Sequence, residues 1–327
     1  MRAGNFKATF NRYLPELPKH FAEGVKSFTD RYSLSADHRE LVVNFLIDME
    51  RAHAVYPEAA LLGLKAYLEN DFERGSDTVF ILGCGASLNQ LADADWARVS
   101  KVDSIGINYF YCHPFRPTAH VIELGLGGES LNSLRDNLLE DDSRGKEGVF
   151  LHMRHILNHK QLSHFKSRAN TWLYSPCVPK SQYLSLIEAY LCEFYSRSGP
   201  LFHHASNLDC ALHIAYQMGY ERILFLGVDL NHRDYFWDSM NPSSGPIADV
   251  KKAIQEDFLL HKFDEGSESV HATVDPVLTA RCNSLAVTDY LALINEQQMQ
   301  PSGVTMATCT PSSLLREYID YLPLKSL

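Results

Sequence analysis

The chain has 327 residues, 45% of them hydrophobic and 21% charged, with a formal net charge of -10. A chain of this length and apolar content can bury a large core, as one large domain or two smaller ones. The acidic balance argues against nucleic acid as a general partner, and no run approaches the ~18 apolar residues that cross a bilayer.

Residues Met1 to Lys7 lack the apolar centre of a secretion signal, which predicts a cytoplasmic protein. Peripheral association with the inner face of the membrane is compatible with this. The seven cysteines are odd in number and show no CxxC pair. Most sit in apolar runs, as reduced buried thiols do in a reducing compartment, so no disulfide frame and no zinc ribbon is expected.

Residues 1–75 carry helical periodicity and no strand signal. The stretch Ser35 to Glu50 predicts a capped amphipathic helix, and Pro57 to Asn70 a second. This helical extension is expected to pack on the main domain or to form a homo-oligomer contact. Glu73 to Asp77 is a short polar joint. From there the pattern becomes strand–helix alternation, assigned as a second unit over 76–327.

Predicted strands are Thr78–Leu82, Asp103–Asn108, Ala119–Glu123, Gly148–Leu151, Thr171–Tyr174, Arg222–Leu226 and Val304–Ala307, with helices between them, notably Leu184–Tyr195 and Ser206–Met218. Short apolar strands alternating with helices predict an α/β fold, a Rossmann-like, mostly parallel sheet covered by helices on both faces. Ligands of such sheets sit at the carboxyl ends of strands near a topological switch point. That rule gathers Gly83–Ser87, Asn108 and Gly227–Asp229 on one rim. Residues 238–270 differ: a Pro/Ser/Gly run, a predicted helix over 247–261 and an acidic, Ser-rich stretch suit a mobile lid near that rim.

Four blocks carry polar groups after strands or at helix starts. The first, Gly83, Cys84, Gly85, Ala86 and Ser87, follows an apolar strand and precedes a helix-compatible stretch, Leu88 to Val99. Glycine there lets the backbone turn sharply and bring N–H groups to a phosphate, with a helix dipole behind them. Glycine in such a turn serves packing equally well. The second block ends in Asn108, either a cap for the next turn or a ligand contact. In the third, Ser206 or Asn207 can cap a helix and face a bound phosphate or ribose. The fourth places His271 after the lid in a polar, non-helical stretch. His152, His155 and His159 fall at i, i+3 and i+7. Without a carboxylate or cysteine at ligand spacing, and with Arg154 and Lys160 beside them, they read as a basic surface rather than a metal site.

The order of these blocks, a strand ending Gly83-x-Gly85-x-Ser87-Leu88, a second ending Asn108 before aromatics, and a late helix running into Gly219-Tyr220 and then Gly227-x-Asp229, resembles the bacterial lipooligosaccharide sialyltransferases of glycosyltransferase family 42 and related Rossmann-like proteins. The similarity covers roughly residues 78–315. It implies a single-domain GT-A-like variant and inverting transfer of sialic acid, or a related keto sugar such as Kdo or a pseudaminic-type acid. The donor would be a CMP-sugar and the acceptor a bacterial surface oligosaccharide or glycolipid. By position, Gly83, Cys84, Gly85, Ala86, Ser87, Asn108, Glu123, Ser206, Asn207 and Asp229 would surround the donor nucleotide. Tyr235 would hydrogen-bond the departing phosphate and His271 would be the general base. No cofactor is required, and a divalent cation would at most stimulate. Two departures stand out: Cys84 and Glu123 occupy positions where the family has asparagine, and the acid needs a partner such as Arg116 or Arg233. Two other readings share the scaffold: a pterin pyrophosphokinase-like enzyme using Asp229 and Glu123 for Mg²⁺, and a non-catalytic nucleotide-binding relative.

Overall fold

The computed structural model describes residues 19–35, 38–54, 74–123, 128–152, 170–174, 176–256 and 270–327. Two helices come first, α1 (Lys19–Arg31) and α2 (Arg39–Ala54). The helix expected over 57–70 lies outside the described residues. Eight strands follow: β1 (Thr78–Leu82), β2 (Asp103–Ile107), β3 (Ala119–Glu123), β4 (Gly148–His152), β5 (Thr171–Tyr174), β6 (Arg222–Leu226), β7 (Thr305–Thr308) and β8 (Asp320–Tyr321). Between them run α3 (Asp93–Val99), α4 (Gly128–Leu134), α5 (Leu184–Phe194), α6 (Asn207–Gln217), α7 (Pro246–Glu256), α8 (Pro276–Arg281) and α9 (Val287–Ile294).

The strands form one sheet in the order β5-β4-β3-β2-β1-β6-β7-β8, every pair parallel. The central strands read as continuous apolar runs because both their faces are covered. Side chains alternate across a strand. Val79 and Ile81 of β1, with Ile223 and Phe225 of β6, enter one core with α1, α2, α5, α6 and α9. Phe80, Leu82, Leu224 and Leu226 enter the other, with Leu88, Phe110, Trp237 and Val250. The chain builds outward from β1 to β5, then crosses to place β6 on the free side of β1. The topological switch point therefore lies between β1 and β6.

The N-terminal helices pack on the sheet domain through aromatic rings. Phe28 stacks on Tyr190 and Phe194 of α5, with centroids 5.8 and 5.7 Å apart, and Phe45 lies 4.1 Å from the Tyr190 ring. Each such pair adds about 0.5–1.5 kcal/mol beyond its buried area. Arg31 forms a 2.7 Å ion pair with Glu193 at the edge of the contact.

Two sequence expectations need correction. The stretch Leu88 to Val99 is not one helix. It comprises a 3-10 turn, Ala86–Gln90, and the separate seven-residue α3. Asp95 accepts the Ala92 N–H at 3.2 Å and restarts the helix there. His152 does not sit on an exposed helix face: it ends β4 and is fully buried. His155 and His159 lie outside the described residues.

Burial lowers the pKa of His113, His204 and His213 to about 4 each. A histidine whose folded pKa lies below its unfolded value, ~6.5, contributes in full above pH 6.5 and loses that contribution as pH falls towards 4. Asp209, raised by burial to about 7, acts in the opposite direction. With His271, lowered likewise to about 4, four such histidines outweigh Asp209, so thermal melts are expected to be flat near pH 7–8 and to drop by about 5–10 °C between pH 6.5 and 4.5. A Tm that rises over that interval would contradict this balance.

Candidate functional site

The loops leaving β1 and β6 are joined at the switch point. Gly83 N–H donates to Leu226 O at 2.8 Å, Gly85 N–H to Gly227 O at 2.8 Å and Ala86 N–H to Asp234 O at 3.1 Å. Gly85 also pairs with Tyr235 in an isolated antiparallel bridge. A Cβ on Gly83 would fall 2.3 Å from the Gly227 carbonyl oxygen, and one on Gly85 would fall 2.4 Å from Asp229 Oδ2. Close approach of the two loops is why both positions are glycine.

Asp229, buried at the end of β6, is the hub of this junction. Its Oδ2 accepts the Ser87 N–H at 3.0 Å and its Oδ1 the Ser87 hydroxyl at 2.5 Å. His232 Nε2 stands 3.4 Å from Oδ2. The N–H groups of Gly83, Gly85, Ala86 and Ser87 are thus all engaged within the protein. The cradle of free amides backed by a helix dipole, expected from the glycine spacing, is not formed. The loop instead builds a rigid floor. Cys84 is buried beneath it, donating from Sγ to Ile107 O at 3.4 Å, and burial, with the Cys112 thiol nearby, pushes its pKa well up.

Asn108 follows β2 with φ 52° and is exposed. Asparagine is among the few non-glycine residues that adopt this left-handed backbone readily. Its Oδ1 accepts from Asn207 Nδ2 at 2.6 Å, across 99 residues of chain. Asn207 opens α6 and is buried, and its own Oδ1 has no hydrogen-bond partner among the described residues. Ser206 caps α6, accepting the Leu208 N–H at 3.2 Å. Asn108 and the consecutive pair Ser206 and Asn207, far apart in sequence, therefore meet at the rim.

Tyr235 is half-buried. Its ring stacks on Trp237 with centroids 4.7 Å apart, and Trp237 meets Tyr109 edge-on at 6.2 Å. Burial, with the Cys84 thiol and Asp238 carboxylate nearby, pushes the phenol up to about 12. It is a protonated donor at neutral pH.

His271 is fastened to the same loop. Its N–H donates to Leu230 O at 3.0 Å, and Leu230 itself has φ 61°. The ring Nδ1 lies 2.9 Å from Thr273 Oγ1. Burial lowers its pKa to about 4, helped by the positive charge of Arg233 and His232. Arg233 Nε donates to Val270 O at 3.1 Å and holds the segment against the β6 loop. His271, Asp229, Tyr235 and Ser87 thus share the β1–β6 side of the rim. Glu123 sits further out at the end of β3, with Oε1 3.8 Å from His152 Nδ1. Arg116, expected as a partner for it, instead donates to the Ser143 carbonyl at 2.8 Å.

Sequence reasoning missed His232 and Thr273. Only their spacing, three residues after Asp229 and two after His271, hints at them. The first half of the expected lid is a docked helix. α7 buries Val250 and Ala253, Lys252 pairs with Glu129 at 3.0 Å, and Asn137 donates to Asp249 at 3.1 Å. Residues 257–269 lie outside the described residues. No described helix is long and apolar enough to cross a membrane.

No protein-family model matches the chain, and no curated protein matches its sequence. Among solved structures, the sialyltransferase CstII from Campylobacter jejuni in complex with the substrate analogue CMP-3FNeuAc is similar, with a TM-score of 0.45 and 16% identity over 76% of this chain and 87% of that one. The monofunctional α-2,3-sialyltransferase Cst-I from Campylobacter jejuni follows at 0.44 and 15%, over 76% and 82%. The MAf glycosyltransferase from Magnetospirillum magneticum AMB-1 gives 0.42 and 14%, over 83% of this chain and 39% of that one.

Proposed function

We propose that the chain is a CMP-sugar-dependent glycosyltransferase, inverting, that moves sialic acid or a related keto sugar to a surface oligosaccharide or glycolipid. The observation that carries this reading is the fastening of His271 to the Leu230 carbonyl. That bond, made by the His271 backbone N–H, supports a neutral imidazole working beside Tyr235, Ser87 and Asp229. The resemblance of the ordered sequence blocks supports the choice of donor.

Thr273 stands against His271 Nδ1 with both its N–H, at 3.4 Å, and its Oγ1, at 2.9 Å; in the proposed reading the ring takes the tautomer that donates Nδ1–H to Oγ1, which leaves the Nε2 lone pair for a substrate. An acceptor hydroxyl has a pKa far above neutrality and needs a base as it attacks. In the proposed step the hydroxyl proton passes to His271 Nε2 while the oxygen bonds to the anomeric carbon of the donor. The bond from that carbon to the phosphate oxygen breaks, and CMP leaves with the electron pair. Tyr235 O–H donates to the departing phosphate, and no metal is needed to offset its charge. Asn108, Ser206 and Asn207 hold the nucleotide, with the free Oδ1 of Asn207 as an acceptor for a ribose hydroxyl or base amine. The loop from Gly83 to Ser87 forms the floor, Cys84 supports it from below, and Glu123 borders the donor sugar.

The pyrophosphokinase reading needs carboxylates open to Mg²⁺. Asp229 is taken up by Ser87 and His232, and Glu123 stands beside His152. That disfavours it.

The test is incubation with CMP-sialic acid or CMP-Kdo and an oligosaccharide acceptor, with CMP release and product followed chromatographically. Turnover without added divalent cation is expected. No release above background with either donor, from folded protein, refutes the reading. Tyr235→Phe removes one donor to the leaving group and is expected to lower kcat by about 10²-fold with little change in KM for the donor. An unchanged kcat would remove Tyr235 from the mechanism.

A further inference from the structure

We propose that His152, His203 and Cys210 form a buried binding site for a zinc-class divalent metal ion, with the neighbouring Asp209 drawn in as fourth ligand. The residues come from three places: the end of β4, the loop before α6, and the first turn of α6. One ligand atom from each of His152, His203 and Cys210 falls within 4.8 Å of the other two. His203 Nδ1 is 3.4 Å from Cys210 Sγ and 3.7 Å from Asp209 Oδ1. A tetrahedral ion bound at ~2.0–2.3 Å by nitrogen, oxygen and sulfur separates neighbouring ligand atoms by about 3.3–3.8 Å. Those two distances fit that shell; Asp209 Oδ1, beside His203 but outside the 4.8 Å grouping of the other three ligand atoms, closes on the ion when it binds. All four side chains are buried.

The chemistry of the set is selective. Two imidazoles, one thiolate and one carboxylate suit zinc or cobalt, and would not hold Mg²⁺ or Ca²⁺, which take oxygen ligands. The carboxylate is preset: Asp209 Oδ2 accepts the N–H groups of His204 and Ala205 at 2.8 and 2.7 Å, which fixes Oδ1 beside His203. The His152 ring is held too, stacked on Tyr174 at 5.5 Å. With Nε2 on the metal, His152 Nδ1 would point to Glu123, the outer carboxylate that ligating histidines commonly use. Without metal, the Cys210 thiol donates to Phe202 O at 3.3 Å. Binding transfers that proton to solvent, and the sulfur pairs with the ion as thiolate. None of the four ligands has a role in the transfer reaction proposed above. The ion would clamp the start of α6, where Ser206 and Asn207 are set, to the end of β4.

The experiment is titration of the chelator-treated full-length protein with Co²⁺, alongside elemental analysis after expression in zinc-supplemented medium. The expected result is ~1 ion per chain, with a thiolate-to-cobalt charge-transfer band and tetrahedral ligand-field absorption. A rise in Tm on metal addition is also expected. Cys210→Ser should abolish the band, while the double variant Cys192→Ser, Cys282→Ser, which removes the exposed thiols, should keep it. Circular dichroism checks that Cys210→Ser folds, and His152→Gln replaces it if it does not, again with loss of binding expected. Fewer than ~0.1 ions per chain in the folded wild-type protein, or a band that survives Cys210→Ser or His152→Gln, overturns the proposal.

Discussion

Replacing His271 with asparagine is expected to lower the rate of sugar transfer by about 10²–10⁴-fold while changing CMP affinity by no more than about twofold. Asparagine keeps a polar group near Thr273 but cannot take a proton. The loss should therefore fall on kcat, and isothermal titration with CMP should show a binding site still present. The pH profile gives a second readout. With its pKa lowered to about 4, the free enzyme's His271 is deprotonated across neutral pH. The acid limb of kcat/KM should then lie well below pH 6. The bound donor carries a phosphate that favours the imidazolium, so the limb of kcat should lie at higher pH than that of kcat/KM. A variant that retains more than a tenth of wild-type turnover, or an acid limb unchanged by the substitution, would rule out His271 as the base.

Gly83→Ala is expected to destabilise the protein by about 3 kcal/mol or more, enough to lower Tm by several degrees and to reduce soluble yield. The added methyl would meet the Gly227 carbonyl oxygen at 2.3 Å and its carbon at 2.8 Å. Both are backbone atoms, so relief requires separating β1 from β6 at their ends, and Gly227 is itself pinned at φ 68° against Leu88. Gly24→Ala makes the contrasting case. It lies within α1, and a Cβ there meets nothing within 4 Å. Alanine gains up to about 1 kcal/mol of helix propensity at such a site. Chemical denaturation of both variants measures the difference, and a Gly83→Ala protein as stable as wild type would show that the junction yields.

Much of the fold was legible because the sheet is covered on both faces. Unbroken apolar runs such as Thr78–Leu82 and Arg222–Leu226 have one reading when glycine follows them, and these strands run over those residues. The same holds at Ser206, which caps α6 as its sequence predicts. β8 was missed because Asp320–Tyr321 is two residues long, polar at its start, and a strand only through its partner β7. The break at Ala92 was hidden because Leu88, Leu91 and Trp96 keep an apolar spacing through it. For the site, the rim positions follow from strand ends, but the partners do not. Asp229 stands in sequence as a free acid after a strand; only the fold brings Ser87 to both its oxygens. In the same way His152 is next to His203 and Cys210 only once β4 is seated behind α6.

The aromatic seam between α1, α2 and α5 also bears on how the chain is made. Arg31 and its partner Glu193 are 162 residues apart. At a ribosomal pace of ~5–20 residues per second, the second half of that seam emerges about 8–30 s after the first. For that interval Phe28 and Phe45 have no docking surface in the nascent polypeptide. Vectorial synthesis thus leaves a sticky amphipathic pair waiting, and a holding chaperone, or slow initiation on each message, would keep neighbouring nascent chains from joining through it.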